Sequence, residues 1–266
     1  MKTASIILGV LVAAASPGTA QEAPVVLENP HVRYTISAGG QNLAFVDRAT
    51  GVDYLKRDVP SACASARRRG VEHPATSARL ANGRLTLEFA PADVKVVLRV
   101  ASCDAYIQLT VDSVSPDGIE SIVFLNVPLT LQGTLSEPFG ACAMSLNLIT
   151  RVDQLPALQT SLRASCHAKF GMEGAKVAVV GMPTGKILEA LRDVLTDADQ
   201  MPHCPVAGPW AHEIPFNHGS YLFNFGSLTD SNVDDWVAMA RNLGVTQIDN
   251  HGGGAFFRFG DFALNT

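Results

Sequence analysis

The sequence predicts a mainly β fold, an antiparallel β-sandwich followed by an incomplete, barrel-like α/β unit. Three observations carry that expectation. Between Val25 and about Val180, short strand-like runs recur with turn residues between them. From Thr196 to His218 the chain becomes polar and carries Pro202, Pro205, Pro209 and Pro215. After Gly219 the pattern changes to strand, helix, strand. The expected domains are a leader at 1–20, a β-sandwich at 21–195, a linker at 196–218, and at 219–266 the first βαβ unit of a truncated (β/α)8 barrel.

The leader has a positive n-region at Lys2, an apolar core from Ile6 to Ala15, and small residues at Gly18-Thr19-Ala20. That pattern predicts a secretory signal peptide cut before Gln21, and so a secreted or periplasmic product. The apolar run is shorter than the ~20 residues that cross a bilayer, so no membrane partner is expected after cleavage.

In the sandwich, strands are expected at Val32 to Ile36, Asn42 to Val46, Ser77 to Leu80, Arg84 to Phe89, Val94 to Val100, Ala105 to Val111 and Ile119 to Leu125. Leu85, Leu87 and Phe89 point one way, Thr86 and Glu88 the other. Gly39-Gly40, Asp47 to Gly51, Pro91 to Asp93 and Pro116 to Gly118 mark turns. Asn82-Gly83 between two such runs signals a tight hairpin. Further strands are expected near Ala143 to Ile149, Ser165 to Phe170 and Lys176 to Val180. A helix follows over Lys186 to Leu195, with Ile187, Leu188, Leu191 and Leu195 on one side. Asp104, Asp112 and Asp117 read as solvent-facing, and Trp210 and Phe216 as caps between the two domains.

The C-terminal unit begins with a strand at Tyr221 to Phe225. Ser231 with Asp234 three residues on forms a capping-box pattern, and Asp230, Asp234 and Asp235 complement the helix N-terminus. Val233, Trp236, Val237, Ala240 and Leu243 form the apolar stripe, and Gly244 stands where a helix often ends left-handed. Val245 to Ile248 supplies the second strand. A connection of that length makes the pair parallel.

Charge excludes one class of function. The formal net charge is −5 and only 17% of residues are charged, so nucleic-acid binding is not expected. The run Arg67-Arg68-Arg69 reads as a solvated loop. No cofactor is expected, because no GxGxxG or Walker loop follows a strand. No GxSxG or HExxH occurs. His203, Cys204, His212 and His218 fit no familiar metal-ligand spacing. The five cysteines are Cys63, Cys103, Cys142, Cys166 and Cys204, without a CxxC pair. Two readings of them stand: a Cys142–Cys166 bridge between neighbouring strands, or five small buried apolar residues.

The candidate substrate-binding residues follow the second strand of the C-terminal unit. Asp249-Asn250-His251 offers side-chain hydrogen-bond donors and acceptors for a substrate, against the simpler reading of an Asp-Asn turn. Gly252 to Gly254 leads to Phe256, whose ring would offer a substrate an aromatic face. Phe257, Phe259 and Phe262 read as core residues.

The phrases FVDRATGVDYL (Phe45 to Leu55) and SYLFNFGSLTDSNVDDWVAMARNLGVTQIDNHGG, from Ser220, give the chain a resemblance. It resembles multidomain glycoside hydrolases in which a galactose-mutarotase-like β-sandwich precedes a catalytic (β/α)8 barrel, with the α-galactosidase-like clan as the nearest comparison. The resemblance implies that Asp249 and Asn250 sit where such enzymes often hold sugar hydroxyls with an acidic pair; here the second place is Asn. It also implies that the catalytic carboxylates lie on later barrel strands, beyond Thr266, so no catalytic residue is assigned in this chain. The expectation is therefore the N-terminal portion of a secreted carbohydrate-active enzyme acting on a carbohydrate substrate. The alternatives are a non-enzymatic carbohydrate-binding sandwich or a structural envelope protein.

Overall fold

The structure is a computed structural model that describes residues 23–58, 60–134, 136–153, 161–198, 218–224 and 228–250. Strands follow in chain order as β1 (Val25–Glu28), β2 (Val32–Ile36), β3 (Asn42–Asp47), β4 (Ser65–Arg68), β5 (Val71–Pro74), β6 (Ser77–Ala81) and β7 (Arg84–Phe89). Then come β8 (Val94–Ser102), β9 (Ile107–Ser115), β10 (Ile119–Pro128), β11 (Phe139–Ser145), β12 (Arg151–Asp153), β13 (Ser161–His167) and β14 (Lys176–Pro183). They form three antiparallel sheets with the orders β1-β2-β3, β12-β13-β10-β4-β5 and β11-β14-β9-β8-β7-β6. The predicted antiparallel sandwich is what the chain adopts.

All three sheets turn an apolar face to one core. Val32, Tyr34 and Phe45 come from the small sheet, Ile122, Leu125 and Ala164 from the five-stranded sheet, and Leu87, Phe89, Leu98 and Leu109 from the six-stranded sheet. Period-two alternation does this work: in β7, Leu85, Leu87 and Phe89 are buried while Arg84 and Glu88 are exposed. The Asn82-Gly83 turn has both residues at positive φ, 52° and 72°, as a two-residue hairpin that follows strand twist requires. Asn42 ties the small sheet to the five-stranded one, donating from Nδ2 to the Asn126 carbonyl at 3.0 Å and accepting from the buried Tyr34 hydroxyl.

β14 departs from alternation. Its sequence KVAVVGMP is buried along almost its whole length. Val177 and Val179 face the main core, whereas Ala178, Val180 and Met182 face a second cluster on the outer side of the sheet. The helix α1 (Ile187–Asp197) covers that side through Ala190 and Val194, with Ile187 and Leu191 beside them. Two of the expected helix contacts thus hold, but Leu188 is exposed, because the buried stripe runs i, i+3, i+4, i+7 from Ile187. Tyr106 donates to Asp197 at 3.0 Å and fastens the end of α1 to the sheet. The helix runs two residues past the expected domain edge at 195.

The C-terminal unit comprises β15 (Tyr221–Asn224), α2 (Val233–Leu243) and β16 (Gln247–Asn250). β15 and β16 pair in parallel, Tyr221 opposite Gln247 and Asn224 opposite Asn250, so the predicted βαβ unit is present. Gly244 ends the helix at φ 69° and donates its N–H to the Arg241 carbonyl. The helix start differs from expectation. Asn232, not Ser231, is the N-cap, and no side chain caps a helix N–H. The Asn232 side chain instead accepts from the Thr229 N–H at 2.8 Å, and Ser231 lies 2.9 Å from the Thr229 hydroxyl. β16 also starts two residues later than predicted. Among the described residues no helix is long and apolar enough to cross a membrane. The expected signal peptide and most of the expected linker lie outside the described residues.

Sheet packing is tight at Gly181 in β14. A Cβ there would sit 2.9 Å from Val32 and 3.1 Å from Phe139, both fully enclosed. Gly181→Ala should therefore destabilise the fold by about 1–3 kcal/mol through overpacking. A urea melt of the variant checks this; an unchanged midpoint would show that the sheets can separate at no cost.

Candidate functional site

The expected site residues divide between described and undescribed parts of the chain. Asp249 is exposed and is the penultimate residue of β16, opposite the exposed Phe223 in register. Asp249 and Asn250 thus belong to the strand rather than following it, because β16 is set two residues toward the C-terminus. They stand at the C-terminal end of β16, beside the end of the parallel β15, where α/β folds place ligands. His251 and Phe256 lie outside the described residues, as do His203, Cys204 and His212.

A more complete constellation occurs on the sandwich, on the face of the five-stranded sheet turned away from the core. Register builds it. Glu72 stands opposite Arg67, Arg67 opposite Ser121, and Ser121 opposite His167, a polar row across four strands. The next row runs Ser65, Val123, Ser165, Arg151. A third joins Asn126, Arg163 and Asp153. Side chains opposite each other in a sheet lie close enough to touch, so the first and third rows are continuous polar strips and the second is polar except at Val123.

Local sequence explains why these strands form. Between SARR of β4 and VEHP of β5, Arg69 and Gly70 take positive φ of 52° and 74°, the same tight hairpin as Asn82-Gly83. The Gly70 N–H donates to Glu120 at 2.7 Å and Arg67 lies 3.3 Å from the same carboxylate, fixing the hairpin on β10. The arginine run expected as a solvated loop is therefore strand and turn. Arg67 faces the groove and Arg68 donates to the Ala92 carbonyl at 2.6 Å.

The face is concave. A cavity of about 170 Å³ is lined by Ser65, Arg67, Glu72, Ser121, Val123, Arg151, Arg163, Ser165 and His167. A more open hollow of about 420 Å³ adjoins it and shares Ser65, Glu72, Val123 and Arg163. Together they reach the size of a small-molecule site, about 300–1,000 Å³. Ser65 donates to Glu72 at 2.6 Å. Asp153 serves two guanidiniums, Arg163 at 2.8 Å and Arg151 at 3.2 Å. The groove thus holds hydroxyls, guanidiniums, an imidazole and a carboxylate, the donor and acceptor set that polyhydroxylated ligands require. Among the described residues no group of three or more His, Cys, Asp or Glu could hold a metal ion. Of the groove residues, the sequence marks only the arginine run, and the strand pairings that assemble the site are visible in the structure alone.

None of the described cysteines lines the groove. Cys142 lies in β11 of the six-stranded sheet and Cys166 in β13 of the five-stranded sheet, and both are free, so the bridge between them does not form. Cys63 and Cys103 are also free. Burial pushes the thiols of Cys63, Cys142 and Cys166 up to about 12, so they remain protonated at neutral pH.

No protein-family model matches the chain, and no curated protein matches its sequence.

The thiol shifts imply a pH dependence. A group whose proton is held more tightly in the folded state stabilises the fold fully below its unfolded value, near 9, and loses that contribution as pH rises toward 12. The urea midpoint should therefore be lower at about pH 10.5 than at about pH 8. That decline should shrink in Cys142→Ala, and a decline of equal size would show that this thiol does not contribute.

Proposed function

We propose that this chain supplies the glycan-binding part of a secreted carbohydrate-active protein, a glycoside hydrolase whose catalytic carboxylates are provided elsewhere in the parent. The polar face of the five-stranded sheet is the working surface. The observation that carries the reading is the set of register-aligned rows, Glu72-Arg67-Ser121-His167 and Ser65-Val123-Ser165-Arg151, opening into one concave groove. Sugar hydroxyls donate and accept at once. A floor of serine hydroxyls, which do the same, flanked by charged donors and a carboxylate acceptor, answers that chemistry. A sheet also holds such groups more rigidly than a loop, which lowers the entropy lost on binding.

Asp249 is a second candidate contact. Its place at the C-terminal end of β16 is where the resemblance to α-galactosidase-like enzymes puts a residue that binds sugar hydroxyls. The non-enzymatic binding module uses the same sandwich face and differs only in whether the parent hydrolyses what it binds.

Calorimetric titration of the full chain against a panel of oligosaccharides tests the reading. Arg163→Ala should weaken binding of the active oligosaccharide by roughly ten- to a hundredfold, the loss of one hydrogen bond from a charged group. Asp249→Ala should leave it largely intact if the sandwich is the working surface. Loss of binding in Asp249→Ala with none in Arg163→Ala would move the site to the C-terminal unit. No binding to any member of the panel would contradict the proposal.

A further inference from the structure

The groove holds more cationic donor capacity than its own carboxylates use. Each guanidinium carries five N–H donors. Among the described residues Asp153 is the side-chain partner of both Arg151 and Arg163, giving one oxygen to each. Arg67 has Glu120 at 3.3 Å. Of the cavity-lining residues only Glu72 is acidic, and it stands on the edge strand β5, at the far side from Arg151 and Arg163, where it accepts from Ser65. The arginine side chains are 40–69% exposed, so their ion pairs are weak and can be rearranged at small cost. Between the arginines, Ser165 is only 8% exposed and lines the cavity with no side-chain partner among the described residues. Ser121 and His167 likewise have none.

We infer that the groove selects a saccharide carrying an anionic substituent, a carboxylate or a sulfate, which sits over Ser165 between Arg151 and Arg163. The inference rests on the carbohydrate-binding reading and specifies its ligand class. Geometry favours the arginine side for the anion: planar guanidiniums present paired donors that match two oxygens of a carboxylate or sulfate. The serines and Glu72 then meet the neutral hydroxyls of the same sugar or its neighbour. Asp153 acts as the positioning residue, holding both guanidiniums at the groove wall in the absence of ligand.

The test uses the full chain and three probes of equal length: a neutral galactose trisaccharide, a galacturonate trisaccharide and a sulfated galactose trisaccharide. At low salt the two anionic probes should bind at least about tenfold more tightly than the neutral one, and the margin should narrow as salt rises. The ratio of uronate to sulfate affinity identifies the natural substituent. Arg151→Gln, at the most exposed of the three arginines, should weaken binding of the anionic probes by about tenfold more than it weakens binding of the neutral probe. Equal binding of neutral and anionic probes, or equal loss of both in Arg151→Gln, overturns the inference and leaves carbohydrate binding standing. Binding of none of the three overturns it, and failure across the wider neutral panel as well overturns the carbohydrate reading with it.

Discussion

The phase of β10 is the constraint on which both the core and the groove depend. This strand lies at the centre of the five-stranded sheet, with β13 on one side and β4 on the other. A slip of one residue in a strand exchanges its two faces. β10 carries Ile119, Ile122, Phe124, Leu125 and Val127 into the core, a set that no single period-two phase can bury. Two irregularities solve the problem, one between Ile119 and Ser121 against β4 and one between Val123 and Leu125 against β13. Each admits one extra residue and resets the phase. Ser121, Val123 and Asn126 are thereby left on the outer face, and the polar rows assemble around them.

The other sheets relieve the five-stranded sheet of covering its outer face. β14 and α1 close the outside of the six-stranded sheet with a second apolar cluster built on Val180, Met182, Ala190 and Val194. The outer side of the five-stranded sheet instead carries the exposed side chains of Arg67, Arg151 and Arg163. That side meets water, and residues facing water are free to be arginine, serine and histidine. The sandwich thus has one covered outer surface and one polar, concave one.

This asymmetry explains what could be read from the sequence. Strands whose outer faces still carry strand-forming residues, such as β7, β8 and β9, announce themselves by alternation or by the Asn82-Gly83 turn. β14 is visible because burial on both faces makes it a continuous apolar run. β4, β5 and β12 are not visible. SARR, VEHP and RVD are short and polar, and only their partners β10 and β13 make them strands. Three of the five strands that form the groove therefore carry no signal of their own. The arginine run looked like a loop because charge and turn composition coincide in both settings. For the C-terminal unit, helix periodicity and Gly244 located α2 closely, while the N-cap moved to Asn232 and β16 shifted two residues along. Strand ends are set by pairing with β15, which local composition does not encode.

Backbone amide shifts of the isotope-labelled full chain, titrated with the oligosaccharide that binds it best, test the central claim most directly. The account predicts that the largest changes fall on Ser65 to Arg67, Ser121 to Val123 and Arg163 to His167, the three strand segments that cross the groove. Changes confined to residues 219–250, with those three segments unmoved, would contradict it.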